Sequence, residues 1–318
     1  MKDKVKLRYS FLKILTGSDL AQRRIPVMSA ESVNPGPTVW ITACGHGDEV
    51  GGMVVIQEIF KIIKRTGLPA GTIKAIPLMN PIGFENVTRN ITHSKEDLNR
   101  SFPGNDKGSL AERIASKIYS TIINSQPDLV IDLHNDWINS IPYTLIDPVT
   151  GNTDIYEKTL QYGEKAGFYQ VSDSEVLKKA FSYNLMQSGI PALTIELGES
   201  YIVNEKNVQY GIQAVVNILT FMGICIDYTT DNSFVLQKTF KNKLLNYSDK
   251  PYCSSTGIIR FNAKAGDYVK QGQVIAKVYN AFGKKIENIY ALQNGIVLGR
   301  TDSSVALPGN PVMAFGNL

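Results

Sequence analysis

Histidine is the scarcest chemistry-bearing residue in this 318-residue chain: there are three, His46, His93 and His134. Any imidazole catalysis or imidazole metal ligation has to use those positions. Cysteine is as rare, and Cys44, Cys225 and Cys253 are isolated and odd in number. That argues against a disulfide framework or a cysteine-rich zinc finger and fits a reducing compartment. No run of about 18 apolar residues suggests a membrane span. The basic start, Met1 to Lys6, is followed by a stretch that Arg8, Ser10, Lys13 and Ser18 interrupt, so no apolar signal core is expected and the protein reads as cytoplasmic. The net charge of +4 is dispersed, with no arginine-rich helix and no interleaving of aromatic and basic residues. Nucleic acid is therefore not an expected partner, and neither is a membrane.

The remaining composition, 43% hydrophobic and 19% charged, is that of an ordinary globular protein with one large core or two domains. Residues 38–43, after the Asn34-Pro35-Gly36-Pro37 turn, read as a buried strand. Residues 50–65 carry Val54, Val55, Ile59, Ile62 and Ile63 at helical spacing and stop at Gly67. A second strand over residues 72–79 is cut by Asn80-Pro81, and a long polar connection, residues 83–107, follows; such connections usually carry function. Ser109 and Glu112 have capping-box spacing and open a helix to Asn124 with Ile114, Ile118 and Ile122 on one face. Residues 129–133 form a strand that delivers His134 at its carboxyl end. Helical patterns return over 154–166 and 175–187, a strand over 191–195 delivers Glu196, and residues 204–222 read as a closing helix.

This alternation predicts an α/β sheet flanked by helices. After about Tyr228 the texture changes to short β-type runs separated by Gly, Asn and Asp, which marks a second, smaller all-β domain and divides the chain into 1–228 and 229–318. Within it, residues 263–276 resemble the hairpin of a biotinyl or lipoyl-type barrel, which would cover residues 257–315.

Sites in open α/β sheets form at the carboxyl ends of strands. Three polar segments fall there: His46 to Glu49, His134-Asn135-Asp136, and Glu196. A catalytic zinc takes three protein ligands and leaves a position for water, and two His with one Glu is a known set. His46 and Glu49, three apart on a loop entering a helix, can turn toward one point while His134 approaches from a neighbouring strand. Zinc lowers the pKa of its water to roughly 7, so a nearby carboxylate can take the proton during attack on a carbonyl. Glu196 is that candidate, and Glu199 is its competitor. Arg89 or Arg100, in the long connection, can steady a developing oxyanion. Asp132 is a candidate acceptor for a ligand histidine, or is satisfied by backbone. Asp48 reads as a helix-start residue, His93 as a solvated loop residue and Cys44 as a small buried strand residue.

Four segments occur in a telling order: Gly45-His46-Gly47-Asp48-Glu49, then residues 97–104 (Asp-Leu-Asn-Arg-Ser-Phe-Pro-Gly), then Asp132-Leu133-His134, then Glu196-Leu197-Gly198. Over roughly residues 25–225 the chain resembles the succinylglutamate desuccinylase and aspartoacylase family, a branch of the zinc carboxypeptidase-like hydrolases. The resemblance implies a carboxypeptidase-like mixed sheet and one zinc ion per chain, held by His46, Glu49 and His134. It further implies that Glu196 activates water and protonates the leaving amine, that Arg89 polarises the scissile carbonyl, and that Asn99 and Arg100 grip a substrate carboxylate, for which a planar guanidinium is suited. The reaction implied is hydrolysis of an N-acyl amino acid or a related small amide bearing a carboxylate.

One departure bears on the substrate. Aspartoacylases have a further arginine upstream of the catalytic glutamate, where this chain has Met186. Dicarboxylic acyl groups are therefore in doubt, unless Lys178 or Lys179 substitutes. The competing readings are a metallocarboxypeptidase or peptide amidase using the same site, a carrier or docking module centred on the C-terminal part, and a relative that only binds ligand. For a carrier, Lys284-Lys285 after Gly283 lacks the expected flanking Met or Asp. A homo-oligomer is compatible with every one of these readings.

Overall fold

The computed structural model describes residues 5–16, 22–148, 151, 153–173, 176–230 and 232–318. The chain opens with two long strands, β1 (Val5–Thr16) and β2 (Gln22–Ser32), paired antiparallel. Then come β3 (Thr38–Ala43), α1 (Gly51–Thr66), β4 (Thr72–Ile76), the short α2 (Pro81–Glu85), a single 3-10 turn (Leu98–Arg100) and α3 (Leu110–Ile123). The next stretch holds β5 (Leu129–Asp136), β6 (Asn139–Ser140), β7 (Tyr143–Ile146), α4 (Thr153–Lys165), β8 (Tyr169–Ser172), α5 (Phe181–Gln187), β9 (Ala192–Glu199) and α6 (Glu205–Phe221). The remainder is a second 3-10 turn (Lys238–Phe240), β10 (Leu244–Ser248), β11 (Gly257–Phe261), β12 (Tyr268–Val269), β13 (Val274–Tyr279), β14 (Lys285–Tyr290), β15 (Gly295–Arg300), β16 (Val305–Ala306) and β17 (Met313–Asn317).

Local chemistry accounts for several of these boundaries. Ser109 and Glu112 form the reciprocal capping box at the start of α3, which satisfies two amide donors the helix cannot use itself. Asn204 caps α6 by accepting from Lys206 and Asn207. Helix α5 is shorter than the sequence pattern predicts: residues 176–180 are not helical, and Ser174 and Glu175 lie outside the described residues. It starts at Phe181, whose amide donates to the Asn99 side chain at 2.8 Å. The acceptor comes from 82 residues away, so no local pattern announces it.

The strands form a mixed sheet in the order β1-β2-β4-β3-β5-β9-β7-β8-β10-β17-β15-β12, with β6 joined at β15. Its centre, β4, β3, β5 and β9, is parallel; β7 reverses direction against β9, and β8 and β10 run parallel to β7. One apolar core includes α1 and α6, with Ile56, Ile59, Ile63, Val215 and Leu219 fully buried or nearly so, and a second includes α3 and α5 around Ile114, Ile118, Phe181 and Leu185. Each such side chain contributes about 1.5–3 kcal/mol on burial, which makes this scaffold rigid enough to aim the strand ends.

Apart from the 3-10 turn at Lys238–Phe240, the regular elements of the C-terminal segment are strands, and the segment is stitched to the large sheet. β10 pairs with both β8 and β17, and Tyr143, Tyr169, Leu245, Ile296 and Leu298 share one apolar cluster across the join. The hairpin expected over residues 263–276 is split between sheets: β12 pairs with β15 of the large sheet, whereas β13 lies in a separate four-stranded sheet, β14-β13-β11-β16. Among the described residues, no helix is long and apolar enough to cross a membrane.

Candidate active site

The central strands end in adjacent positions. β3 pairs with β5 and β5 with β9, in a register that sets His134 opposite Glu196, which in turn faces Tyr143 across β7. The loop after β3 turns sharply: Cys44 has φ 55°, and the amide of Asn80 donates to its carbonyl. Gly47 then passes so close to the backbone of α2 that a Cβ there would lie 2.0 Å from the Gly83 carbonyl carbon. Only glycine fits, and the tight passage fixes where His46 and Glu49 point.

His46, Glu49 and His134 bring one ligand atom each to within 4.8 Å of one another, and all three are buried. The Nδ1 atoms of His46 and His134 each lie 2.7 Å from a different oxygen of Glu49. Their Nε2 atoms are held by other carboxylates: His134 by Asp132 at 2.8 Å and His46 by Asp97 at 3.0 Å. Asp132 is itself oriented by the Thr42 hydroxyl at 2.7 Å. An acceptor on each Nε2 favours the proton there, so a divalent cation placed between the imidazoles and Glu49 would meet a free lone pair on each Nδ1. Burial works against the ionised form of Glu49, but the two imidazoles hold its carboxyl well below the usual range. Burial likewise opposes a charged His134, yet Asp132 and Glu49 outweigh it and raise its pKa well above the ordinary value. Two imidazole nitrogens and one carboxylate gathered within 4.8 Å are a donor set that fits a borderline metal such as zinc.

The cluster opens on a cavity of about 300 Å3, whose wall includes Arg89, Asn99, Arg100 and Glu196. Burial, with Asp136 and Glu49 nearby, pushes the Glu196 carboxyl well above the usual carboxylate range, while His134 and Arg89 pull the other way. Its Oε2 is buried with no hydrogen-bond partner among the described residues. Glu199 is spoken for: it accepts from Asn204 and, at 2.6 Å, from Asn207 at the start of α6, and it is not part of the cavity wall. Arg89, half-exposed, lies 3.3 Å from Glu49 and 3.4 Å from Asp97. Its pKa is raised: burial works against the charge, but Glu49, Asp97, Glu196 and Asp48 outweigh it.

Asn99 uses its side-chain oxygen on Phe181, and the Arg100 guanidinium donates to the Asn99 carbonyl at 2.8 Å. The C-terminal segment reaches the same cavity through Tyr247 and Asp249. His93 is exposed, and the Cys44 thiol, buried, donates to the His46 carbonyl, so neither joins the cluster. Asp48 precedes α1 rather than capping it and is buried. Met186 is fully buried in the core, and Lys178 and Lys179 lie outside the cavity wall.

Two residues of the site carry no expectation from sequence. Asp97 aligns His46 and also accepts from the Asn99 amide at 2.8 Å; its place at the head of the residue 97–104 segment is the signal that marks it. Tyr143, opposite Glu196, donates to Asp136 at 3.0 Å, and burial together with Asp136 keeps its hydroxyl protonated.

A family model described as the succinylglutamate desuccinylase/aspartoacylase catalytic domain matches residues 35–222. The chain is 26% identical over 289 residues to the N-α-acetyl-L-2,4-diaminobutyric acid deacetylase of Halomonas elongata, a match covering 86% of this chain and 80% of that protein. Its fold superposes with a TM-score of 0.82 on the product-bound ectoine utilization protein EutE (DoeB) from Ruegeria pomeroyi, at 20% identity, covering 98% of this chain and 95% of that one. A more distant likeness, TM-score 0.55 at 16% identity, covers 67% of this chain and 64% of a metallo-carboxypeptidase from Burkholderia cenocepacia. These structural matches show a mixed α/β, carboxypeptidase-like fold.

Proposed function

The chain belongs to the succinylglutamate desuccinylase/aspartoacylase family, and from that premise we propose that it is a zinc-dependent hydrolase that removes the acyl group from a small N-acyl amino acid. The observation that carries this reading is the buried His46, Glu49 and His134 cluster beside Glu196, whose Oε2 has no partner among the described residues and whose carboxylate lines the same cavity. His46, Glu49 and His134 would hold the metal. When bound, zinc polarises the scissile carbonyl and acidifies water.

The other roles belong to the chain itself. Glu196 takes the proton of the attacking water and passes it to the leaving nitrogen, for which an elevated carboxyl pKa is suited. Arg89, placed between Glu49 and Asp97, presents its guanidinium to the carbonyl oxygen as charge develops there. Asn99 and Arg100 hold the substrate's α-carboxylate and so fix the scissile bond relative to Glu196. The size of the cavity suits a small molecule, and Tyr247 and Asp249 close one wall of it from the C-terminal segment.

The substrate named for the Halomonas relative is an N-α-acetyl amino acid. An N-acetyl amino acid is accordingly the proposed substrate class here. The test is release of free amine from N-acetyl amino acids by zinc-loaded protein, with blocked dipeptides as the comparison. Turnover of the acetyl amino acids supports the reading; hydrolysis of the blocked dipeptides alone assigns the protein as a peptidase instead.

A further inference from the structure

Three neighbouring parallel strands, β7, β8 and β10, carry acidic residues at or just beyond their carboxyl ends. Ile146 pairs with Ser172 and Asn246 also pairs with Ser172, so Asp147 and Asp173 follow side by side and Asp249 comes soon after on the next strand. All three line the substrate cavity. Asp147 lies four residues along β7 from Tyr143, the residue opposite Glu196, or about 13 Å of strand at roughly 3.3 Å per residue. Arg89 and Arg100 are the arginines and lysines of the cavity wall, and the proposed function occupies both.

Asp147 is the telling member. It is 3% exposed, and among the described residues it has one hydrogen-bond donor, the Ser182 hydroxyl on Oδ2, with no partner on Oδ1 and no Lys or Arg within ion-pair distance. A buried carboxylate without a counter-ion is costly, and such groups are kept where a ligand supplies what the fold withholds. Burial pushes its carboxyl up to about 6; Ser182 and Arg100 pull down, and Asp173 and Asp132 add to the rise.

We propose that Asp147, flanked by Asp173 and Asp249, forms a subsite for the side-chain ammonium of an N-α-acyl diamino acid. This rests on the deacylase reading and narrows it: the α-carboxylate takes Arg100, and the second amine takes Asp147. A dicarboxylate substrate would instead put an anion against three carboxylates.

The test uses zinc-loaded enzyme and three probes that share an N-acetyl group and side-chain length: the derivatives of 2,4-diaminobutyrate, norvaline and aspartate. The expected result is a kcat/KM for the cationic probe about 10-fold to 100-fold above the norvaline probe, the worth of one charge-assisted hydrogen bond, expressed in KM. Asp147→Asn should collapse that ratio through KM, Asp249→Asn should reduce it less, and Asp147→Glu should restore part of it. Equal kcat/KM for the cationic and norvaline probes, or an Asp147→Asn variant that lowers both in proportion, overturns the subsite and leaves the deacylase reading standing. If zinc-loaded enzyme hydrolyses none of the three, the deacylase reading fails and the subsite falls with it.

Discussion

His134 Nε2 lies 2.8 Å from the Asp132 carboxylate, and that pairing turns Nδ1 to Glu49, 2.7 Å away on the other side of the ring. The neighbouring His46 repeats the arrangement with Asp97. Two independent carboxylates thus do the same work on two histidines, which is the pattern of outer partners that orient metal ligands.

Asp132→Asn should weaken zinc binding by about 10-fold to 100-fold without unfolding the protein, because the amide no longer enforces the Nε2–H tautomer. Competition against a chromogenic chelator reads this directly. Unchanged affinity would mean that Asp132 serves the Thr42 hydroxyl and the sheet rather than the metal.

Glu196→Gln and Glu199→Gln should separate cleanly. The first keeps metal and fold but loses turnover by about 100-fold to 10,000-fold, the range for a positioned base. The second frees Asn204 and Asn207 at the start of α6, so it should lower Tm with a small effect on kcat. The opposite outcome, with turnover lost in the Glu199 variant, would exchange their roles.

Arg100→Ala should raise KM more than it lowers kcat, since a grip on the α-carboxylate is made equally in the ground and transition states. A loss confined to kcat would place Arg100 at the reacting carbonyl instead.

Asp147→Asn should stabilise the protein at neutral pH. The carboxyl titrates at about 6 in the fold against 3.8 ordinarily, a difference of roughly 3 kcal/mol. Below about pH 4 both folded and unfolded forms are protonated and there is no penalty. As pH rises toward 6 the unfolded chain releases its proton first, so stability is lost across that window and stays lost above it. The variant should therefore melt higher than the parent at pH 8, with the gap closing at pH 4. A lower Tm at both values would show that the charge is compensated in the fold.

The meeting of His46, Glu49 and His134 was legible because a small number of histidines met strict geometry. With three in the chain, two at strand ends and a glutamate three residues from the first, the alternatives were few. Apolar period likewise exposed α1, α3 and α6, whose buried faces follow helical spacing. What stayed hidden depends on distant partners. Helix α5 begins where Asn99 meets Phe181, and β1 and β2 owe their length to each other, with alternation blurred by exposed Tyr9 and Phe11. Asp147 looks like any strand-end aspartate until three strands and α5 close around it. The split of the C-terminal strands between two sheets is set by long-range pairing of β10 with β8, which no local texture encodes.

The most direct test of the account is metal reconstitution in parent and His134→Ala proteins. Chelator-treated parent should be inactive on N-α-acetyl amino acids and regain full turnover with one equivalent of zinc, while His134→Ala should neither retain zinc nor regain activity. Full turnover in metal-free parent protein, or stoichiometric zinc and normal activity in His134→Ala, would contradict it.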